Sequence, residues 1–238
     1  MSSHHTLIVG GSSGIGLATA EHLLAAGGRV TIAGRDGARL DAARLRLGAQ
    51  AGAVRMDAAD ARSLPAVFAG IGAFDNLVLA LGSHQALGPF ASLSLDAVRQ
   101  GFEEKVYAHF AVAQAALPFL HETGSLTFVA AVSAHAAHPG TAGIGSANAA
   151  VAALVPILAS ELQPRRVNGV SPGLIDTPFW DFLPDDQSGP LFADYAARTP
   201  VGRVGRAEDV AQAIAFLIRD TFMTGQVLVC DGGLRLSA

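Results

Sequence analysis

The sequence feature that most constrains the fold is the stretch VGGSSGIG at residues 9–16 of the 238-residue chain. It follows a short apolar run and precedes a helix-like stretch that opens at Ile15. Closely spaced glycines let a backbone turn tightly and approach a pyrophosphate, while the N–H groups and positive dipole of the following helix face the phosphate charge. A glycine loop between a first strand and a first helix therefore predicts a dinucleotide site. The loop residues expected to bind this cofactor are Gly10, Ser12, Ser13, Gly14, Ile15 and Gly16.

Strand-like apolar runs alternate with helix-like stretches along the chain. The predicted strands are residues 6–9, 29–33, 53–56, 76–81, 125–132, 166–170 and 226–230. The predicted helices are residues 15–26, 37–47, 95–117, 144–162 and 207–218. Several strands are apolar almost throughout, as in a parallel sheet covered on both faces. The pattern predicts an α/β fold, a single-domain Rossmann-type doubly wound parallel sheet of about seven strands flanked by helices.

Composition excludes several other classes of protein. With 50% hydrophobic and 15% charged residues, the chain can bury one large core, and we expect one domain over residues 1–238. The net charge of −4 argues against a nucleic-acid partner. The single cysteine, Cys230, excludes an internal disulfide framework and fits a reducing compartment. No apolar run reaches the roughly 18 residues of a membrane span, and the first residues lack a signal-peptide pattern. We therefore expect a cytoplasmic protein without a membrane partner.

One segment interrupts the alternation of strands and helices. Residues 176–199, DTPFWDFLPDDQSGPLFADYAART, are rich in proline, aspartate and aromatics and show no strand pattern. Long loops in compact domains are often lids or binding loops. We expect a substrate lid here, with Phe179 and Trp180 lining a pocket for an apolar or aromatic small molecule or packing in the core. A loop without function is the alternative.

The end of the second strand, VTIAGRD, bears on which dinucleotide binds. An NAD site needs a carboxylate here to accept from the ribose 2′-hydroxyl, and the expected position holds Gly34. Arg35 follows, and its guanidinium can pair with a 2′-phosphate. NADP(H) is therefore favoured, and NAD(H) stays open because Asp36 comes next. After the third strand, Asp57 and its neighbour Ala58 are expected near the adenine, although Asp57 can equally serve as a turn or cap residue.

By these motifs the chain resembles the short-chain dehydrogenase/reductase family. VGGSSGIG is similar to the family's T-G-x-x-x-G-x-G loop, and RVNGVSPGLIDT, TPVGRVGRAEDVAQAIAFL and TGQVLVCDGG are similar to its later segments. The resemblance implies that Pro172 and Gly173 lie by the nicotinamide and that Thr177 reaches its carboxamide or the pyrophosphate. Of the family's N-N-A-G motif only Gly82 remains, in LALG. The resemblance also implies a homodimer or homotetramer formed through the fourth and fifth helices.

The chain departs from the family at the positions that handle protons. The family's Tyr-x-x-x-Lys falls on Ile144 and Asn148, within AGIGSANAAV. Its serine falls by strict counting on Ala131, with Ser133 two residues further on, and its asparagine falls near Lys105. Ile144 has no proton to donate. Asn148 carries no charge, although its amide can still bind ribose hydroxyls.

Other residues can replace the missing acid. The catalytic residues we expect are Ser133, His135 and Lys105. Ser133, His135 and His138 follow the fifth strand, at the sheet edge where open α/β sheets bind ligands. A histidine can act as an acid near neutral pH, and Lys105 can place an ammonium near the vacated site. The alternatives are solvated loop histidines and a surface lysine. No residue spacing predicts a metal site.

The sequence favours a variant NADP(H)-dependent oxidoreductase that acts on an unidentified carbonyl or alcohol with a non-standard proton relay. Two other hypotheses stay open, because fold does not fix function. One is a catalytically degenerate dinucleotide-binding sensor or scaffold, and the other is a non-redox lyase or isomerase on the same scaffold.

Overall fold

The computed structural model describes residues 4–237. The strands are β1 (His5–Val9), β2 (Arg29–Gly34), β3 (Ala51–Arg55), β4 (Phe74–Leu79), β5 (Leu120–Val129), β6 (Arg166–Pro172), β7 (Ile175–Asp176), β8 (Gly205–Arg206) and β9 (Val227–Cys230). The helices are α1 (Gly14–Ala25), α2 (Gly37–Leu47), α3 (Leu64–Ile71), α4 (Leu95–Phe102), α5 (Ala108–Ala116), α6 (Ala142–Glu161), α7 (Asp185–Arg198) and α8 (Ala207–Arg219).

Seven of the strands form one parallel sheet in the order β3-β2-β1-β4-β5-β6-β9. The order reverses between β1 and β4, which is the topological switch point of a doubly wound sheet. The predicted fold class is confirmed. β7 and β8 form a separate two-stranded ribbon beyond the end of β6.

The apolar strands bury both of their faces. Alternate side chains of a strand point to opposite faces, so Leu7 and Val9 of β1 enter one hydrophobic cluster while Ile8 enters the other. Both clusters are completed by apolar side chains of the flanking helices. The two layers hold the sheet between helices and bring the carboxyl ends of β1, β4, β5 and β6 together at one edge.

Besides the short strands β7 and β8, three helical regions differ from the sequence expectation. The predicted helix over 95–117 is present, but it contains a π-helical turn, Glu103–Tyr107, between α4 and α5. Such turns often mark functional sites. Helix α3 was not predicted, because it has only eight residues. Helix α7 lies inside the segment expected to be a loop; Pro190 within it hid the helical pattern from the sequence.

Helix α6 corrects the expectation about membrane-spanning length. It has 20 residues and a mean hydropathy of 1.7 over its most apolar window, which meets the length and composition of a span. Half of that window is buried inside the fold. Its buried residues, among them Val151 and Val155, pack in the main core. The apolar character of α6 is that of a core helix.

Candidate active site

A cavity of about 620 Å³ lies at the carboxyl edge of the sheet. Its walls come from the glycine loop, the segments that follow β4, β5 and β6, and residues of α6 and α7. This is where open α/β sheets bind ligands. Long-range folding therefore gathers residues from widely separated parts of the chain around one space.

The glycine loop between β1 and α1 forms one end of the cavity. Gly14 has a φ of +50°, and a Cβ there would lie 3.3 Å from the Cβ of Thr177. A Cβ at Gly16 would overlap the carbonyl oxygen of Gly10. Ser13 precedes α1, and its hydroxyl makes no capping hydrogen bond to the helix. The loop therefore leaves backbone and the N-terminus of α1 uncovered toward the cavity.

The end of β2 supplies cationic side chains to the same region. Arg35 and Arg39 both line the cavity. A Cβ at Gly34 would lie 3.2 Å from Ser12 Oγ, so a larger side chain is crowded there. The Asp36 carboxylate instead accepts the backbone N–H of Arg39 at 3.0 Å as the cap of α2. No carboxylate among residues 4–237 that line the cavity occupies the position an NAD-specific site uses at this strand end.

Lys105 is the central residue of the π-helical turn, and it lines the cavity. It is buried, and its Nζ donates to the carbonyl oxygens of Leu81 at 2.7 Å and Val129 at 2.8 Å. Val129 is the last residue of β5, and Leu81 lies two residues beyond the end of the adjacent strand β4. No carboxylate pairs with Lys105 in the described part of the chain. Burial lowers the pKa of Lys105 from its ordinary 10.5 to about 7.

His109 packs one helical turn beyond Lys105. Its ring is fully buried and stacks on Phe128 with centroids 5.9 Å apart. Nδ1 lies 2.6 Å from the Lys105 carbonyl oxygen, and Nε2 lies 3.2 Å from that of Leu79. Burial first, and the Lys105 charge second, lower the pKa of His109 to about 3. A neutral imidazole thus packs against the backbone of the π turn.

Ser133, Asn148 and Ile144 form the opposite side of the site. Asn148 Nδ2 donates to Ser133 Oγ at 3.1 Å. Because Oγ accepts this bond, the Ser133 hydroxyl proton is available to another acceptor. Asn148 Oδ1 is buried and has no hydrogen-bond partner among residues 4–237. Ile144 is buried in a small cluster with Ala86 and Ala147, and it also lines the cavity.

Four aromatic side chains close the far side of the cavity, and we call them the aromatic wall: Phe179, Trp180, Phe182 and Tyr195. The indole N–H of Trp180 donates to the carbonyl oxygen of Ile175 at 3.0 Å, which fixes its ring. Ring centroids of Phe179 and Trp180 are 5.1 Å apart, and His84 stacks on Phe182 at 5.0 Å. Phe179 meets Trp180 and Phe182 nearly at right angles, so the wall offers an apolar surface of edge-to-face rings, built from the segment expected to be a lid.

The histidines of the loop after β5 have different surroundings. His135 is exposed and is not among the residues that line the cavity. His138 does line it, and its ring meets Tyr195 edge-on with centroids 6.0 Å apart. Of the two tyrosines, Tyr195 lines the cavity while Tyr107 is exposed on the outer side of the π turn.

Most of the residues predicted from the sequence surround this one cavity. Those that line it are Gly10, Ser13, Gly14, Ile15, Gly16, Arg35, Gly82, Lys105, Ser133, Asn148, Pro172, Gly173 and Thr177. Those outside the lining are Ser12, Asp57, Ala58 and His135. Asp57 Oδ1 accepts the N–H of Ala59 at 3.0 Å, which is the turn role left open by the sequence. The parts these residues take in binding or catalysis stay predictions.

The sequence reasoning missed two features. Arg39 joins Arg35 at the cavity because it lies on the first turn of α2. Lys105 is the only lysine in the chain, although Lys and Arg together number 16. Every other cationic side chain of this type is an arginine, which cannot lose its proton in a protein. A single lysine among 15 arginines indicates a position where an amine that can lose its proton is needed.

No group of three or more histidine, cysteine, aspartate or glutamate side chains in residues 4–237 is arranged to hold a metal ion. Cys230 is a free cysteine, and burial raises the pKa of its thiol. The polar groups that line the cavity are thus one amine, hydroxyls, an amide, imidazoles, two guanidinium groups and the carboxylate of Asp181.

Comparison with known proteins gives consistent matches over nearly the whole chain. The profile of the family described as Enoyl-(Acyl carrier protein) reductase matches residues 9–235. Cis-4-hydroxycyclohexanecarboxylate dehydrogenase of Sinomonas cyclohexanicum is 36% identical over 95% of this chain and 94% of its own length. A putative ketoacyl reductase of granaticin polyketide synthesis in Streptomyces violaceoruber is 35% identical over 97% of this chain and 95% of its own.

A solved structure is similar in both fold and sequence. It is the NADPH-bound short-chain oxidoreductase of Pseudomonas aeruginosa PAO1, a protein described as containing an atypical catalytic center. The two superpose with a TM-score of 0.87 at 31% identity, covering 97% of this chain and 96% of the other. With a family profile over residues 9–235 and named relatives above 30% identity over nearly all of it, this chain belongs to the short-chain dehydrogenase/reductase family of oxidoreductases.

Proposed function

We propose that this protein is an NADP(H)-dependent oxidoreductase that interconverts a carbonyl and an alcohol on a small ring-containing molecule, with Lys105 as the proton carrier. One observation carries the proposal: the chain's only lysine is buried at the cavity, bonded to two backbone carbonyls and to no carboxylate among the described residues. Ile144 stands where the family has its acid, so a proton for the substrate oxygen must come from elsewhere.

The described residues fit a dinucleotide. The glycine loop forms a cradle that side chains at Gly14 or Gly16 would fill. The unpartnered Oδ1 of Asn148 supplies a buried acceptor for a ribose hydroxyl. The solved relative from Pseudomonas aeruginosa binds NADPH on the same fold. Gly10, Ser13, Gly14, Ile15, Gly16, Gly82, Asn148, Pro172, Gly173 and Thr177 would hold the cofactor.

The choice of NADP(H) over NAD(H) rests on charge. Arg35 and Arg39 line the cavity beside Gly34, and both carry a permanent positive charge that suits a 2′-phosphate. Asp36, the residue that kept NAD(H) open, is used as the cap of α2. Ser12, Asp57 and Ala58 are outside the cavity lining. We propose that they touch at most the outer edge of the adenosine.

When bound, the nicotinamide supplies a hydride to the carbonyl carbon or takes one back from the alcohol. Reduction therefore also consumes one proton at the substrate oxygen. The Lys105 ammonium has three N–H groups, and two of them are used by the carbonyls of Leu81 and Val129. The third is the proton we assign to the substrate oxygen.

The two carbonyls also explain how Lys105 can give that proton up. A neutral amine keeps two N–H groups, so both carbonyl bonds survive deprotonation. A pKa of about 7 places both protonation states within reach at neutral pH, where acid catalysis works best. The Ser133 hydroxyl, which accepts from Asn148, donates a second hydrogen bond to the same substrate oxygen. We assign no proton transfer to the exposed His135.

The substrate class follows from the aromatic wall and from the relatives. The wall offers an apolar aromatic surface, and the Sinomonas relative is named for a ring alcohol. We also propose that the protein is cytoplasmic, which the free thiol of Cys230 supports. We further propose that it forms a homodimer or homotetramer, which the exposed side chains of Phe110 on α5 and Ile157 on α6 support.

The test combines binding with turnover. Calorimetry should show NADPH binding at least tenfold more tightly than NADH, and a panel of cyclic ketones should yield NADPH consumption. Replacing Lys105 with Met should lower kcat by about 10²–10⁴-fold while NADPH still binds. The matched control is Arg99→Met on the exposed face of α4, which should leave kcat unchanged. No NADPH binding at millimolar concentration would overturn the proposal.

The non-redox alternative predicts a different role for Lys105. A lysine whose pKa is about 7 can also act as a base that removes a proton next to a carbonyl. A lyase or isomerase would then exchange substrate hydrogen with deuterated water without consuming NADPH. A dinucleotide sensor would bind NADPH and do neither, and Lys105→Met would then change only its stability.

A further inference from the structure

His138 carries a polar atom that nothing described in the protein satisfies. Its Nε2 is buried and has no hydrogen-bond partner among residues 4–237. Buried polar atoms are almost always hydrogen-bonded, and leaving one unpaired is costly. Since His138 also lines the cavity, a molecule bound there can supply the missing partner.

The loop around His138 holds the ring in place. The carbonyl oxygen of His138 accepts from the Thr141 hydroxyl at 2.7 Å and from the Thr141 N–H at 3.3 Å. On its other side the ring meets Tyr195 of α7 edge-on. Arg198 packs on Tyr195 as well, with its guanidinium carbon 4.4 Å from the Tyr195 ring centre. The imidazole is thus positioned at the aromatic wall, in a loop separate from the π turn that carries Lys105.

The charges that face His138 favour an uncharged partner. Burial first, and Arg198 second, lower the pKa of His138, so the ring is neutral at neutral pH. Arg198 is itself paired with Asp194 at 2.7 Å. No carboxylate ion-paired to His138 appears in the part of the chain that the structure describes. Because the Arg198 charge is already paired, a carboxylate buried beside His138 would keep most of its desolvation cost, whereas a hydroxyl or carbonyl group can hydrogen-bond the neutral imidazole without that cost.

We propose that His138 determines substrate specificity by hydrogen-bonding, through Nε2, a hydroxyl or carbonyl oxygen of a planar ring substrate, at a position away from the carbon that exchanges hydride. The inference rests on the proposed function and names its substrate class: flat ring ketones or alcohols with a second, uncharged oxygen substituent. The aromatic wall holds the rings, and His138 selects the substituent.

The test uses 1-tetralone and its 5-, 6- and 7-hydroxy derivatives with NADPH. One net hydrogen bond is worth about a 3- to 10-fold preference. The protein should prefer one hydroxytetralone over 1-tetralone by that factor in kcat/KM, mainly through KM. His138→Phe should remove the preference, and His138→Gln, whose amide can reach a similar position, should restore part of it. The matched control, His135→Phe in the same loop, should retain it.

The ratio between two substrates separates recognition from a structural role, since a damaged fold lowers both rates together. The same preference is also measured without turnover, as the Kd of each ketone for the protein bound to NADP⁺. If the protein turns over no ketone, the proposed function is refuted, but this binding test of His138 can still be made. No preference for any hydroxy isomer in either measurement overturns the inference. A preference that survives in His138→Phe also overturns the inference. So does a preference for 4-oxocyclohexanecarboxylate over cyclohexanone that depends on His138, because that substituent is charged.

Discussion

Replacing Lys105 with Met should change how the stability of the protein depends on pH. In the folded protein the pKa of Lys105 is about 7, while in the unfolded chain it returns to 10.5. Between these values the unfolded state holds one proton more than the folded state, so the free energy of unfolding rises with pH. Below pH 7 both states are protonated, and this contribution is constant.

The size of the effect follows from the same two values. A difference of one pH unit between the folded and unfolded pKa of a group corresponds to about 1.4 kcal/mol, so the full window amounts to roughly 5 kcal/mol. The free energy of unfolding of the wild type, minus that of Lys105→Met, should therefore rise by up to that amount between pH 7 and pH 10.5. The two carbonyl bonds do not cancel the effect, because the neutral amine keeps both of them.

The assay is denaturant unfolding of both proteins at pH 6, 7, 8, 9 and 10, with the exposed Arg99→Met as the control whose difference from wild type stays flat. Because the chain has one lysine, carbon-13 labelling of lysine gives a single side-chain resonance that reports the same pKa directly. A flat difference for Lys105→Met, with a titration midpoint near 10.5, would refute the reasoning. It would mean that the carbonyls fully replace water around the ammonium.

Three further predictions concern the cofactor and the vacated acid position. Arg35→Ala should weaken NADPH binding at least tenfold and NADH little by calorimetry, while Arg44→Ala, on α2 but outside the cavity lining, should change neither. Gly14→Ala should weaken both dinucleotides, because the φ of +50° and the contact with Thr177 oppose a side chain. Ile144→Tyr with Asn148→Lys should raise kcat for ketone reduction in steady-state assays, and an unchanged kcat would show that the site has been rebuilt.

The sheet and the phosphate loop could be predicted because their signals are local. An apolar run such as LIVG forms a strand that must be covered on both faces, whatever residues follow it. The glycines of GGSSGIG indicate directly that the backbone there needs conformations other residues rarely adopt. Helix α7 could not be predicted, because Gly189 and Pro190 both disfavour a helix in the local sequence. Its ring contacts, such as Phe192 against Trp180, are made only after folding.

The details of the site depend on contacts that counting along the chain cannot supply. Counting placed the family's serine on Ala131, whereas the structure sets Ser133 against Asn148, because a tight turn over Val132–Ala134 follows the strand. The environment of Lys105 depends on carbonyls 24 residues away on either side. Lys105 is buried only once the sheet edge has assembled. The sequence alone therefore cannot decide whether Lys105 is a surface lysine or a residue of the site.

The central claim is that Lys105 supplies the proton in an NADPH-dependent carbonyl reduction. The most direct measurement is the pH dependence of kcat for reduction of cyclic ketones by the wild type and by Lys105→Met. The account predicts that wild-type kcat falls as pH rises through about 7, where the ammonium is lost. Lys105→Met should be slower by about 10²–10⁴-fold and show no such step. Equal rates and equal pH profiles in the two proteins would contradict it.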